Sequence, residues 1–197
     1  VVLASGSPQR RAILEALGVH FTVRVPDVSE LETGEPAEVT LENARRKARA
    51  ARRAGQSELI IGCDTVVSLG GRIYGKPPDE EAARRTLTAL SGSTHVVVSG
   101  LVLLRTGEGG ECEERSAVAR TEVTFAELDA ARIDSYLALG EWRGRAGGYA
   151  IQGAGRALVR SLEGEYENVV GLPVASLLEL HPKLLQGSTG SPGTPSP

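Results

Sequence analysis

Only two cysteines, Cys63 and Cys112, occur in the 197 residues, too few for a disulfide scaffold and suited to a reducing compartment. Basic charge is not in excess: 22 Lys and Arg stand against 25 Asp and Glu, a formal net charge of −3. That argues against a general nucleic-acid binder, although a local basic site stays compatible with it. No apolar run approaches the roughly 18 to 20 residues needed to cross a bilayer. The opening segment, Val1–Ser7, lacks a basic leader and is too short for a signal peptide. Methionine is absent, which reads as an initiator trimmed or not included. The expectation is a soluble, cytoplasmic, globular protein with no membrane partner.

What is present suits a packed core. Hydrophobic residues make up 41% and charged residues 24%, enough for one domain or two closely joined lobes. Val1–Ala4 reads as a short buried strand that stops at Ser5-Gly6-Ser7-Pro8. Ser7 is a good N-cap and Pro8 fits the first helical position, with Gly18 closing the helix. Residues 21–25 read as a strand and 26–36 as an acidic loop. A helix is expected over 37–54, acidic first and basic last, which complements its dipole. Two apolar strand segments, 59–62 and 65–69, are expected on either side of a break at Cys63-Asp64. A helix over 79–90, strands over 95–104 and 116–125, a helix over 129–139, a strand over 156–162 and a helix over 173–185 follow. Residues 144–155 are glycine-rich and non-periodic. Interleaved strands and helices make the class α/β with a mixed sheet.

Three stretches could carry chemistry. Ser5-Gly6-Ser7-Pro8-Gln9-Arg10-Arg11 leads from a strand into a helix N-terminus, a ready anion site to which arginines add charge-assisted bonds; ordinary capping with surface arginines explains it equally well. Gly70 to Lys76 nearly matches a Walker A loop but fails at Pro77, where Ser or Thr should meet magnesium, and Pro77-Pro78 forces an extended link. Lys76 is nevertheless one of only three lysines beside nineteen arginines, a compact point charge in a chain that otherwise uses Arg; chance at a surface turn is the alternative. Asp64 ends an apolar run, where a carboxylate must be hydrogen-bonded, paired or metal-bound, or else simply forms a turn. A base or metal ligand is plausible chemistry there. The basic run Arg45, Arg46, Lys47, Arg49, Arg52 and Arg53 reads mainly as a solvated helix face. His20, His95 and His181 have no zinc-like spacing, and Cys63 reads as a small buried hydrophobe.

Taken in order, Leu3-Ala4-Ser5-Gly6-Ser7-Pro8-Gln9-Arg10-Arg11, Gly62-Cys63-Asp64-Thr65-Val66-Val67, Gly75-Lys76-Pro77, Leu90-Ser91-Gly92, Ala146-Gly147-Gly148-Tyr149-Ala150-Ile151-Gln152-Gly153 and Val169-Val170-Gly171-Leu172-Pro173 resemble the motifs of the Maf family. The match covers residues 1–185 and leaves 186–197 as a Gly/Ser/Thr/Pro tail expected to be disordered. The resemblance implies an elongated, twisted mixed sheet with two lobes and an active-site cleft, a fold shared with inosine triphosphatases. It implies a nucleoside triphosphate pyrophosphatase that uses a divalent metal, Mg²⁺ or Mn²⁺. It makes Asp64 the proton acceptor, has Ser7, Arg10, Lys47, Lys76 and Gln152 bind substrate, and makes Glu30 with Asp64 the metal partners. Thr65 and Gln152 resemble the branch acting on dTTP and UTP, and the branch acting on 7-methyl-GTP looks different at both places. The pyrimidine branch has Arg where this chain has Gln9, and many relatives have Lys where it has Arg145. Homodimers are common in such proteins. A regulatory role in septum formation or cell division is the alternative that the family name carries, and a binding module without turnover is a third.

Overall fold

The computed structural model describes residues 1–185. Strand β1 (Val2–Leu3) feeds helix α1 (Pro8–Ala16), followed by β2 (Thr22–Val23), α2 (Pro36–Ala50), β3 (Leu59–Leu69), β4 (Arg72–Tyr74), α3 (Glu80–Leu90), β5 (Thr94–Thr106), β6 (Cys112–Phe125) and α4 (Ala130–Ala138). Short 3-10 turns at Ala146–Gly148 and Ala154–Leu158 precede β7 (Val159–Glu163), α5 (Tyr166–Val170) and α6 (Val174–Leu180). The sheet runs β2-β1-β3-β5-β6-β7, with β4 folded back on β3. β1 lies parallel to β2 and β3, and the long β3, β5 and β6 pair antiparallel. This is the expected α/β class with a mixed sheet. Among the described residues no helix is long and apolar enough to cross a membrane.

The expected break at Cys63-Asp64 does not exist. β3 runs unbroken for 11 residues, and Asp64 pairs with Gly100 in the middle of the ladder. Alternation along such a strand sends successive side chains to opposite faces. Ile61 and Cys63 pack with Leu14, Leu172 and Leu177 on the side of α1 and α6, while Ile60 packs with Ala44, Ala48 and Ala51 on the side of α2. A third cluster gathers α3, α4 and the far ends of β5 and β6 around Phe125, Trp142 and Tyr149. The long strands therefore serve three clusters, two on opposite faces at one end of the sheet and one at the other, and the cleft opens between the two ends.

Helix α2 lies unusually close to the sheet. A Cβ on Gly62 would sit 2.2 Å from the Ala44 carbonyl oxygen, and one on Gly100 would sit 2.4 Å from the Thr40 backbone. Only glycine permits this approach, and it brings the side chains of α2 onto Asp64. The helix is shorter than expected, ending at Ala50 with Ala51 as its cap. The final helix is also shorter than the expected 173–185, α6 ending at Leu180, and an unexpected five-residue helix, α5, precedes it across Gly171 and Pro173. The expected disordered tail lies outside the described residues.

Candidate active site

Ser7, Gln9, Arg10, Glu30, Lys47, Asp64, Thr65, Lys76 and Gln152, the residues singled out along the sequence, all line one cavity of about 390 Å³. Its floor is β3. Asp64 is 6% exposed, and its two carboxylate oxygens have different partners. Oδ1 accepts from Lys47 Nζ at 2.6 Å, and Oδ2 accepts from Asn43 Nδ2 at 3.0 Å. Lys47 Nζ also lies 2.7 Å from Glu30 Oε1, so one ammonium bridges two carboxylates. A buried carboxylate without such partners would be strongly unfavourable.

Asn43 was not visible as a site residue. It is buried, one helical turn before Lys47 on α2, and all its polar atoms are engaged. Its Oδ1 accepts from the Leu31 N–H at 2.7 Å, and its Nδ2 donates to the Leu31 carbonyl at 3.0 Å as well as to Asp64. The acidic loop that carries Glu30 is thereby pinned to the strand that carries Asp64. The signal available was the i, i+4 spacing of Asn43 and Lys47, which puts both on one helix face.

The basic run of α2 divides as its geometry dictates. Arg45 and Arg46 pair with Glu42, and Arg45 and Arg49 reach Glu114 on β6. Lys47 alone among them turns inward to Asp64.

Thr65 faces the opposite side of β3 and joins a second network. Arg10, 8% exposed, donates from Nε to the Gly171 carbonyl at 2.8 Å, from Nη1 to Ser5 Oγ at 3.0 Å and from Nη2 to Thr65 Oγ1 at 3.1 Å. Thr65 Oγ1 lies 2.9 Å from Ser99 Oγ. Arg10 is thus a strut from α1 to β3 and to the turn before α6, lending positive charge to the cavity with most of its donors engaged. Ser7 caps α1 as expected: its Oγ accepts from the Arg10 N–H and donates to Gln9 Oε1 at 3.0 Å. Cys63 is wholly buried beneath, its thiol pushed up by desolvation.

Lys76 and Gln152 come from loops. Lys76 follows β4, the return strand of a hairpin turned at Gly70-Gly71, where both glycines are left-handed. Gln152 sits between the two 3-10 turns, and the following backbone is held by Glu141, whose carboxylate accepts from the N–H groups of Ala154 and Gly155.

Two carboxylates converge on one cation position. Among the described residues no cluster of three or more His, Cys, Asp or Glu side chains is placed to hold a metal by itself. Glu30 and Asp64 nevertheless fit Mg²⁺, which is commonly held by one or two carboxylates together with substrate phosphates. The Lys47 ammonium between them marks a point where positive charge is stabilised.

The chain matches known proteins along nearly all of its length. It is 47% identical over 182 residues to a dTTP/UTP pyrophosphatase of Anaeromyxobacter sp. (strain Fw109-5), covering 91% of this chain and 87% of the relative. It is 41% identical to a dTTP/UTP pyrophosphatase of Deinococcus radiodurans, with 91% and 90% covered, and 43% identical to one of Thermococcus kodakarensis, with 91% and 94% covered. A solved dITP/XTP pyrophosphatase of Mycobacterium abscessus aligns with 66% of this chain and 75% of its own at 20% identity and a TM-score of 0.41. The family model described as Maf-like protein spans residues 1–184, and the chain belongs to the Maf family.

Proposed function

We propose that the cavity hydrolyses a nucleoside triphosphate to the monophosphate and pyrophosphate, with dTTP and UTP preferred, and that Glu30 and Asp64 hold a divalent cation there. The observation that carries the reading is Asp64, a buried carboxylate at the floor of a cavity lined by cations and fixed by Lys47 and Asn43. The relatives named above carry that activity in their names at more than 40% identity.

The chemistry follows from charge and placement. A water oxygen bonds to the α-phosphorus, and the bond from that phosphorus to the α–β bridging oxygen breaks. The electron pair leaves on pyrophosphate, and the proton of the water passes to an Asp64 oxygen. Asn43 and Lys47 hold that carboxylate against rotation, so the base is in place before substrate arrives. A divalent cation, when bound, supplies neutralisation of phosphate charge and makes water a stronger acid. Lys76 adds a point charge from the loop after β4, and the N-terminus of α1 offers its positive dipole end to phosphate. Fixed charges aimed at a developing anion are the larger part of such catalysis.

Thr65, Gln9 and Gln152 supply base selection in this reading. A neutral amide both donates and accepts, so Gln9 tolerates more base edges than a guanidinium would. The test is catalytic efficiency with dTTP, UTP, CTP, GTP and 7-methyl-GTP in the presence of Mg²⁺. The expected order has dTTP and UTP first and 7-methyl-GTP last. A preference for 7-methyl-GTP would overturn the pyrimidine assignment, and no pyrophosphate from any of the five would overturn the activity.

A further inference from the structure

Four cationic side chains line the cavity: Arg10, Lys47, Lys76 and Arg145. Two of them are committed. Arg10 is bound to Gly171, Ser5 and Thr65, and Lys47 is held by Asp64 and Glu30. The side chains of Lys76 and Arg145 make no hydrogen bond or ion pair within the described residues. Arginines elsewhere on this chain commonly pair with carboxylates, as Arg24 does with Glu58, Arg84 with Asp134 and Arg85 with Glu81. Arg145 is half-buried, so its lack of a partner is not that of a fully solvated charge.

The backbone around Arg145 is fixed although its guanidinium is not. Its N–H donates to the Trp142 carbonyl at 3.2 Å, and its own carbonyl accepts from the Gly148 N–H at 3.0 Å. Two residues on, the Gly147 N–H donates to the Gly75 carbonyl at 3.1 Å. Gly147 is left-handed (φ 68°), and a Cβ there would meet Val67 at 2.7 Å. The loop bearing Arg145 is therefore latched to β3 and to the loop bearing Lys76, so the two uncommitted cations share one rigid mount. The committed cation Lys47 comes with Asp64 from α2 and β3.

We propose that Arg145 is a substrate-binding residue that, with Lys76, grips the pyrophosphate portion of the nucleotide. This rests on the pyrophosphatase reading and deepens it. As the α-phosphorus to bridging-oxygen bond breaks, negative charge grows on the departing pyrophosphate. A guanidinium presents paired N–H donors that match two phosphate oxygens, a geometry an ammonium lacks. Arg145 thus meets the leaving group with oriented donors, and Lys76 with a point charge.

The experiment measures pyrophosphate and UMP binding by calorimetry for the wild type, Arg145→Gln, Arg145→Lys and Arg143→Gln. The last is the control, because Arg143 is exposed and stacked on Trp142 outside the cavity lining. Arg145→Gln is expected to weaken pyrophosphate binding about tenfold or more, with UMP binding unchanged and thermal stability retained. Arg145→Lys should recover part of the loss, and Arg143→Gln should bind like the wild type. Wild-type pyrophosphate affinity in Arg145→Gln would overturn the proposal, as would an equal loss for UMP and pyrophosphate. If the wild type released no pyrophosphate from any triphosphate, the activity would fail, while these binding data would still decide the place of Arg145.

Discussion

Asn43 donates from Nδ2 to Asp64 Oδ2 at 3.0 Å and holds the backbone of Leu31 by both its N–H and its carbonyl. One buried amide therefore couples the central carboxylate to the loop that carries Glu30. Asn43→Leu keeps the volume roughly but leaves the Leu31 groups and one Asp64 oxygen without a partner. Stability should fall by about 2 kcal/mol or more, from the cost of unpaired polar groups. Turnover should fall roughly tenfold to a hundredfold through loss of positioning, with KM for UTP changing less. Steady-state kinetics and chemical denaturation on the purified variant check both.

Lys47 places one ammonium between Asp64 and Glu30, so it should compete with a divalent cation for that position. Lys47→Met removes the ammonium and leaves two facing carboxylates, one of them buried. Breaking a buried pair typically costs about 3–5 kcal/mol, so the variant should melt earlier in metal-free buffer. Added Mn²⁺ should restore much of the loss while barely moving the wild-type Tm. Nucleotide-free Mn²⁺ binding, read by the electron paramagnetic resonance of the free ion, should be tighter in the variant than in the wild type.

His95 supplies a pH dependence of stability from beneath the cavity, where its partner Tyr149 lines the wall. Its ring is fully buried against Phe125 and Tyr149, its Nε2 meets the Tyr149 hydroxyl at 2.9 Å, and its Nδ1 has no partner among the described residues. Burial pushes its pKa down from 6.5 to about 4. The unfolded chain therefore takes up a proton that the folded one refuses. Stability is fully present above about pH 6.5 and declines as pH falls toward 4, by roughly 3 kcal/mol across that window. His95→Phe should flatten this slope in urea titrations at a series of pH values; an unchanged slope would assign it to other groups.

Gln9 sits at the start of α1 with its Oε1 engaged by Ser7. Gln9→Arg should narrow the substrate profile toward dTTP and UTP, raising their efficiency relative to CTP and GTP severalfold, because a guanidinium only donates. A profile identical to that of the wild type would remove Gln9 from base selection.

Ser7, Asp64 and Lys76 stand out from the residues themselves, whereas Lys47, Glu30 and Gln152 are reached only through the resemblance to the Maf family. Ser7 and Pro8 mark a helix start, Asp64 interrupts an apolar run, and Lys76 is a rare residue type in this chain. The class of the fold was equally legible from alternating strand and helix periods. What could not be read were contacts between distant segments. Asp64 suggested a strand end because a carboxylate in a central strand is unfavourable on its own; its partners Asn43 and Lys47 come from α2, whose approach depends on Gly62 and Gly100. Arg10 resembled a phosphate ligand in a local motif, yet most of its donors go to Gly171, Ser5 and Thr65, the first of these 161 residues away. The five residues of α5 are too few to display a helical period.

The measurement closest to the central claim is product identification by ³¹P nuclear magnetic resonance, with UTP and Mg²⁺, for the wild type and Asp64→Asn. The wild type should yield UMP and pyrophosphate one for one. Asp64→Asn should remain folded and be slower by about 10²- to 10⁴-fold, the usual contribution of a positioned base. UDP and orthophosphate as products would contradict the account, and so would a folded Asp64→Asn variant that works at the wild-type rate.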